Sequence, residues 1–191
     1  ANYFFNDYLE FGDENPGWVE FDHPEYGKVE LGGWKKTFNR LPPRFMTEEM
    51  CHRNMAFTLY QAEQLPQVAI GDTKVEKVGD GVWKVWVDLR NPKIVPTIMA
   101  KAAQNNVVTP DILTLDGRGV EVVAATVVPD KLRPGIQQLI DQKDLTRILF
   151  RNGLGGRTTR TLQYLLKGSG DVTLVYTSLK GGKAQKTIAL K

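Results

Sequence analysis

The sequence is poor in the residues that form disulfides, metal sites and activated nucleophiles. Among its 191 residues there is one cysteine, Cys51, and there are two histidines, His23 and His52. A single cysteine excludes a disulfide within the chain, and two histidines leave little material for a histidine-rich metal site. The two serines, Ser169 and Ser178, stand in a turn and at a strand end, outside any G-x-S-x-G elbow.

Long apolar runs are also missing. No stretch approaches the roughly 20 residues that a membrane-spanning helix needs, so the sequence predicts no membrane span. Residues 1–10 are aromatic and acidic, not basic and then apolar, so we expect no secretion signal in this chain. The composition is 41% hydrophobic and 25% charged, which excludes a disordered tail, a collagen-like fibre and a coiled coil.

Charge is distributed unevenly along the chain. Residues 1–66 hold 6 Lys+Arg and 11 Asp+Glu, whereas residues 67–191 hold 19 and 11, so the net charges are −5 and +8. The spacing of the apolar residues changes at the same place. We therefore predict two regions: an irregular segment with one helix over 1–66, and an accessory β-sandwich over 67–191.

The first region is rich in aromatic residues but has little periodicity before Arg44. Such a composition favours an ordered, irregular segment whose rings pack against another surface. Apolar residues then recur at helical spacing over Thr47–Gln64, with Glu48 and Glu49 in the first turn and Pro66 after the end, which predicts a helix. We expect this helix to pack against more than one neighbour.

After Pro66 the apolar residues recur with the period of two that is typical of half-buried strands. In the clearest strand, the residues expected to face a core are Trp83, Val85, Val87 and Leu89. The alternate residues expected to face solvent are Lys84, Asp88 and Arg90, with Trp86 either in a contact between elements or exposed.

Turn signals divide the rest of this region into short segments. Asp80-Gly81 predicts a hairpin turn, and residues 134–142 predict a short helical turn that begins at Pro134. Seven or eight short strands separated by such turns predict a mostly β fold, an immunoglobulin-like or transthyretin-like β-sandwich. The irregular segment and the helix would precede it.

Two groups of side chains have some features of a metal site, and the sequence assigns neither as one. Glu49 and His52 lie at i and i+3 on the predicted helix, a spacing that can bind a metal but is more often a surface ion pair. The acids at positions 7, 10, 13 and 14 lack the ligand pattern of a calcium loop and favour a solvated acidic segment. His23, which precedes a proline, either faces a substrate or caps a backbone carbonyl in a turn, and the turn is the favoured reading.

The remaining candidates also have simpler explanations. The glycine-rich stretch 152–156 lacks the following helix of a phosphate loop, so it predicts a flexible loop between strands. Arg147, Arg151, Arg157 and Arg160 surround that loop without stacking aromatics, which favours a solvated basic face and no nucleic-acid binding. Cys51 is predicted to be a buried structural thiol. The residues therefore assign no catalytic, cofactor-binding or metal-binding position.

Three segments in order resemble a known family. They are HPEYGKVELGGW (23–34), RLPPRFMTEEMCHRNMAFTLYQAEQLP (40–66) and GDGVWKVWVDLRNPKIVPT (79–97). Together they resemble the C-terminal part of bacterial zinc metallocarboxypeptidases of the carboxypeptidase A-like group, where the first closes the catalytic domain and the last opens a sandwich extension. Asn91 and Pro96-Thr97 match that ending, Pro92-Lys93 departs from it, and residues 168–190 are similar to the terminal hairpin.

The resemblance implies that this chain is the non-catalytic C-terminal accessory region of a zinc carboxypeptidase, with residues 1–66 as the end of the catalytic domain. The parent would hydrolyse C-terminal peptide bonds with bound zinc, and would be periplasmic or secreted. Its HxxE pair, distant histidine and general base match no residue here, so no cofactor is expected in this chain. The expected partners are the catalytic domain, a peptide or cell-envelope component, and a second copy through the aromatic N-terminal region.

A different class of function stays open beside this one. A β-sandwich can be a stand-alone binding module for a glycan or a protein, with exposed tryptophans as its stacking platform. The candidates are Trp18, Trp34, Trp83 and Trp86. An exposed row of rings would favour a glycan module, whereas rings on one bare flank would favour an interface with the catalytic domain.

Overall fold

The computed structural model describes residues 2–38, 40–41, 44–130, 132–133 and 135–191. The chain divides into two compact units between Tyr60 and Gln61. The first unit contains a helix, a hairpin and most of a second helix, and the second unit contains two antiparallel sheets. The predicted mostly β fold, a β-sandwich preceded by a helix, is confirmed.

The first unit has more regular structure than its sequence predicts. Helix α1 spans Asn2–Leu9, and strands β1 (Trp18–His23) and β2 (Gly27–Gly32) form an antiparallel hairpin. A 3₁₀ turn over Arg44–Met46 leads into helix α2, Thr47–Glu63. The backbone of Gly27 has a positive φ of 71°, which a residue without a Cβ adopts easily at the turn of a hairpin.

Helix α2 ends one residue before the predicted end, but its expected packing is wrong. None of its side chains is buried, and Phe57 and Leu59 are 64% and 62% exposed. The reason is geometric: at 100° per residue, Met55, Phe57, Leu59 and Tyr60 spread around the helix and do not form one apolar stripe. Cys51, predicted to be buried, is exposed on this helix.

The second unit is the β-sandwich. Its strands are β3 (Ala69–Gly79), β4 (Val82–Asn91), β5 (Asp111–Asp116), β6 (Glu121–Val128), β7 (Gln138–Leu139), β8 (Arg147–Phe150), β9 (Thr158–Lys167), β10 (Gly170–Ser178) and β11 (Gly182–Leu190). One sheet has the order β11-β10-β5-β8 and the other β3-β4-β9-β6-β7. A short helix, α3 (Ala100–Gln104), lies between β4 and β5.

The core lies between these two sheets and follows the predicted alternation on β4. Trp83 is 5% exposed, and Val85, Val87 and Leu89 are fully buried, as expected. Buried residues of the facing sheet complete the core: Leu113, Leu115, Ile148, Val172, Leu174 and Tyr176. Burial of these side chains is the main source of the stability of such a domain.

Two turn predictions were tested by the structure, with opposite results. The hairpin turn at Asp80-Gly81 is confirmed, because β3 pairs with β4 across it and Gly81 has a positive φ of 65°. The helical turn predicted over 134–142 is wrong, since Gln138–Leu139 forms strand β7 against β6. Pro134 itself is outside the described residues.

Asn91 organises the loop after β4, which explains why this position suits asparagine. Its side-chain amide donates to the carbonyls of Val95 at 2.8 Å and Gly155 at 3.1 Å, and its side-chain oxygen accepts from the amides of Gln67 and Lys93, both at 3.3 Å. One fully buried side chain thus joins three backbone segments.

Strand β8 is an edge of its sheet, and a side chain closes part of that edge. The amide of Gln142 donates to the carbonyl of Leu149 at 3.0 Å and accepts from its N–H at 2.9 Å. The side chain therefore makes the two bonds that a neighbouring strand would make.

Candidate functional site

The candidate site lies on the outer face of the five-stranded sheet and is centred on Trp86. This residue is next to the core residues Val85 and Val87 in sequence, so its side chain points away from the core. The strand register places Lys74 of β3 and Gln163 of β9 on either side of it. The indole is partly exposed, and the ammonium nitrogen of Lys74 lies 4.9 Å from the ring centroid.

Asp88 corrects the prediction of a solvent-facing carboxylate. It lies on the outer face, yet it is only 2% exposed. The Thr161 hydroxyl donates to Oδ1 at 2.8 Å, and Arg90 Nη2 donates to Oδ2 at 3.1 Å. A buried carboxylate is tolerated only with such partners, which fix its position.

Arg90 connects Asp88 with a second carboxylate. Its Nη2 also bonds to Asp72, which is exposed at the bulge of β3. The hydrogen bond to Asp88, followed by the bond to Asp72, raises the pKa of the Arg90 guanidinium above its ordinary value. Asp88, Arg90 and Asp72 therefore form a row of acceptor, donor and acceptor beside the indole.

Gly71 makes room for this arrangement. A Cβ atom at this position would lie 2.4 Å from Nε of Arg90, and the β3–β4 register shifts between Ile70 and Thr73. The strand irregularity beside Gly71 is therefore a β-bulge that brings Asp72 to the guanidinium. The carbonyl of Gly71 also accepts a hydrogen bond from Lys186 Nζ at 2.7 Å.

Amide side chains lie on the other side of the indole. The Gln137 amide donates to Gln163 Oε1 at 3.0 Å, and the Thr126 hydroxyl donates to Gln137 Oε1 at 3.1 Å. Carboxylate, guanidinium, amide and hydroxyl groups therefore flank one aromatic ring. A cleft of about 370 Å³ runs along the first side, lined by Asp72, Thr73, Lys74, Trp86, Asp88, Val128 and Thr161.

The side chains weighed as metal ligands do not come together. Glu49 pairs with Arg53 at 2.5 Å and not with His52, as an i,i+4 ion pair on the helix surface. His23 accepts hydrogen bonds through Nδ1 from the amides of Glu25 and Tyr26, at 3.1 and 3.3 Å. The turn reading of His23 is thus supported, with an amide and not a carbonyl as the backbone partner.

The acidic segment near the start is organised by Asn6, a signal that sequence reasoning missed. Asn6 is 2% exposed, and its side-chain oxygen accepts from the amides of Glu14 and Asn15 at 3.0 and 3.1 Å. Asp13 forms an ion pair with Lys35 at 2.7 Å. Within the described residues, no three His, Cys, Asp or Glu side chains are grouped to hold a metal ion.

The glycine-rich stretch 152–156 is held in place, contrary to the expected flexible loop. Leu154 is 1% exposed and hydrogen-bonded to Thr97. A Cβ at Gly153 would lie 2.3 Å from Thr97 Oγ1, so the close approach requires glycine. The hydroxyl of Ser178 accepts a hydrogen bond from the Gly181 amide at 3.1 Å as part of a turn.

Among the described residues, no helix is both long and apolar enough to cross a bilayer.

A family match covers the sandwich. The chain belongs to the family described as "Domain of unknown function (DUF8731)", whose model matches residues 67–189. The search of curated proteins returned no match.

One solved structure that resembles part of the chain is the "Crystal Structure of Bifidobacterium adolescentis GH3 beta-glucosidase". It is 14% identical over 65% of this chain, with a TM-score of 0.28. The match spans only 17% of that protein's chain. A TM-score of this size does not establish a shared fold.

Proposed function

We propose that the sandwich is a non-catalytic binding module whose ligand is a neutral sugar ring held at Trp86. The observation that carries this proposal is a partly exposed indole between a carboxylate–guanidinium line and a pair of glutamine amides. An aromatic face offers a flat apolar surface to the C–H groups of a sugar. The neighbouring carboxylate, guanidinium and amide groups match its hydroxyls, as donors and acceptors.

Two features favour ligand binding over a purely structural role. Asp88 and Arg90 are held by their own hydrogen bonds, so a ligand would not have to order them, which lowers the cost of association. The ammonium of Lys74 lies over one face of the Trp86 ring, and the Lys74 side chain is itself exposed. Displacing that ammonium costs about 0.5–1 kcal/mol, the usual strength of an exposed cation–π contact.

The test is a titration of the whole chain with neutral oligosaccharides: cellohexaose, xylohexaose, mannohexaose and N-acetylchitohexaose. Calorimetry and amide chemical shifts should show saturable binding of at least one of them, with shifts at residues around Trp86. Trp86→Ala should weaken that binding at least tenfold. Trp18→Ala is the matched control, because Trp18 is 67% exposed in the first unit. Equal losses in both variants, or no binding of any of the four, would contradict the proposal.

We also propose, on separate grounds, that this domain is carried by a zinc carboxypeptidase. The order of the three motifs over residues 23–97 supports it. Exposed rings of the first unit add to it: Tyr3, Tyr8, Phe11, Trp18 and Tyr26 are 65–90% exposed. Large exposed apolar areas commonly mark surfaces that contact another protein or domain. The occupant proposed for this surface is the catalytic domain, and the accessory role of the sandwich is compatible with sugar binding.

The gene region encoding residues ahead of Ala1 tests this second proposal. It should encode an HxxE pair and a later histidine, and the native protein should contain stoichiometric zinc and release C-terminal residues from peptides. Residues 1–191 alone should do neither. An upstream region without these ligands would refute the carboxypeptidase parent and leave the sugar site untouched.

A further inference from the structure

A second cleft of the sandwich lies beside the edge strand β8, away from the Trp86 face. It has a volume of about 680 Å³ and is formed by residues 141–144, by β8, by the turn at 151–152 and by Arg160 of β9. This volume is in the range of small-molecule sites. Its wall carries four basic side chains: Lys143, Arg147, Arg151 and Arg160.

Arg160 is the most distinctive of these side chains. Strand β9 alternates, and the residues with the same parity, Leu162, Tyr164 and Leu166, are fully buried in the core. Arg160 therefore points to the side of the sheet that faces the other sheet, where a charge is uncommon. Its guanidinium carbon lies 5.3 Å from the ring centroid of Phe150, which is 6% exposed. A cation–π contact thus holds the guanidinium at the wall of the cleft.

The two acids of the cleft offset only part of its positive charge: hydrogen bonds from Thr146, and after them the charge of Arg147, lower the pKa of Asp144. Asp144 Oδ1 accepts hydrogen bonds from the Thr146 amide at 2.9 Å and from its hydroxyl at 2.6 Å. Among the described residues, Arg147, Arg151 and Arg160 form no ion pair within 4.0 Å. Four cations face two carboxylates, Asp141 and Asp144, so the concave surface has an excess of positive charge.

We propose that this arginine cleft binds an oxyanion, a phosphate or carboxylate group of a small ligand. Guanidinium groups bind such anions through paired N–H donors, with a geometry that lysine cannot supply. Arg160 is already positioned by Phe150, and the exposed Arg147 and Arg151 line the same cleft. The phosphate and the sugar carboxylate share this chemistry, so the ligand is either a phosphorylated compound or a uronic-acid residue.

The experiment uses the whole chain at low and moderate salt with three ligands: pyrophosphate, trigalacturonate and the neutral maltotriose. Calorimetry should show saturable one-to-one binding of at least one of the two anions, and maltotriose, which has no acidic group, should not compete with the bound anion. Amide shifts should move at Leu149, Phe150 and Asn152. Binding of pyrophosphate alone assigns a phosphate, binding of trigalacturonate alone assigns a sugar carboxylate, and binding of both supports the general oxyanion site.

Charge-matched variants separate the cleft from general attraction to a basic domain. Arg147→Gln and Arg160→Gln should each weaken anion binding at least tenfold, whereas Arg118→Gln, in the exposed β5–β6 connection, should change it less than twofold. Arg147 is exposed, so its variant tests the site even if Arg160→Gln impairs folding. Trp86→Ala should leave anion binding unchanged, which makes this result independent of the proposed sugar site. No binding of either anion, or equal weakening by Arg118→Gln, would overturn the proposal.

Discussion

Thr97 pairs with Leu154 through both its backbone and its side chain: the amide of Thr97 donates to the carbonyl of Leu154 at 2.9 Å, and the hydroxyl of Thr97 accepts from the amide of Leu154 at 2.8 Å. The same hydroxyl donates to Asp111 Oδ2 at 2.6 Å. One side chain therefore connects the loop after β4, the glycine-rich loop and the start of β5. This connection keeps the glycine-rich loop ordered.

Replacing Thr97 by valine should destabilise the domain strongly although the shape of the side chain is kept. The Leu154 amide would be left without its partner in a buried place, and Asp111 would lose one of two donors. We expect the free energy of unfolding to fall by about 2–4 kcal/mol in urea titrations. Thr187→Val, on the exposed face of β11, is the control and should stay within about 0.5 kcal/mol of the parent. Equal stability of the two variants would contradict this role of Thr97.

The two core tyrosines should respond differently to the loss of their hydroxyl groups. The Tyr176 hydroxyl donates to Asp111 at 2.9 Å, whereas the Tyr164 hydroxyl has no hydrogen-bond partner among the described residues. Tyr176→Phe should therefore lower the free energy of unfolding by about 1–3 kcal/mol. Tyr164→Phe should leave it unchanged or raise it slightly. If urea titrations showed a larger loss of unfolding free energy for Tyr164→Phe than for Tyr176→Phe, the hydrogen bonding assigned to the two hydroxyls would be wrong.

Stability should also fall in alkali because of the same two phenols. Burial raises the pKa of both above the ordinary 10.0, and the charge of Asp111 and the hydrogen bond to it raise the pKa of Tyr176 further. The folded state then binds a proton that the unfolded state releases. The stabilisation is complete below pH 10 and decreases above it, by at most about 1.4 kcal/mol per pH unit for each phenol.

Urea titrations at pH 8 and pH 11 measure this effect. Tyr176→Phe should lose less stability between the two values than the parent chain loses. If the parent chain were equally stable at both pH values, folding would not raise the pKa of the two phenols.

The assignment of the core-facing side of β4 can be tested by replacing valine with aspartate at a buried and at an exposed position. Val85 is fully buried, so Val85→Asp should abolish folding or cost at least about 4 kcal/mol, because the carboxylate would have no partner in the core. Val123, on β6, is 49% exposed, and Val123→Asp should cost about 1 kcal/mol or less. Circular dichroism and thermal unfolding compare the two. A soluble Val85→Asp variant with an unchanged melting temperature would mean that the assigned face is wrong.

The second unit should fold without the first. Its core is drawn from residues 68–190, and the chain divides between Tyr60 and Gln61. Residues 61–191 should therefore unfold cooperatively in urea, and limited proteolysis of the whole chain should cut before Arg44 and leave the sandwich intact. A truncated chain without a cooperative transition would show that both units form one indivisible domain.

The β-sandwich was predictable because its strands and turns are marked by residues that are close together in the sequence. The alternation from Trp83 to Leu89 assigns one face of β4 without reference to any other strand, and Asp80-Gly81 assigns the turn before it. Asp88 was not predictable, because its partner Thr161 is 73 residues away and is brought to it only by the pairing of β4 with β9. The predicted packing of α2 was wrong for another reason. Apolar residues in a helix predict burial only where they form a single stripe along one side of it.

In the candidate sites, too, single residues could be identified from the sequence, whereas contacts between distant residues could not. Trp86 could be named from the sequence as a residue of uncertain environment, but the Asp72–Arg90 contact depends on a bulge whose geometry the sequence only suggests through Gly71. The arginines around the glycine-rich loop were visible as a group. That Arg160 points inward over Phe150 follows from the strand register and not from composition.

The pairing of Gln142 with Leu149 has a consequence for self-assembly. A bare edge strand offers its backbone to strands of other chains, and this is a common start of aggregation. On β8, a side chain of the same molecule already occupies one N–H and one C=O of that edge. A second chain could extend the sheet there only after displacing Gln142. At this edge, one side-chain amide therefore hinders the addition of another chain, a task for which other proteins use a covering strand or loop.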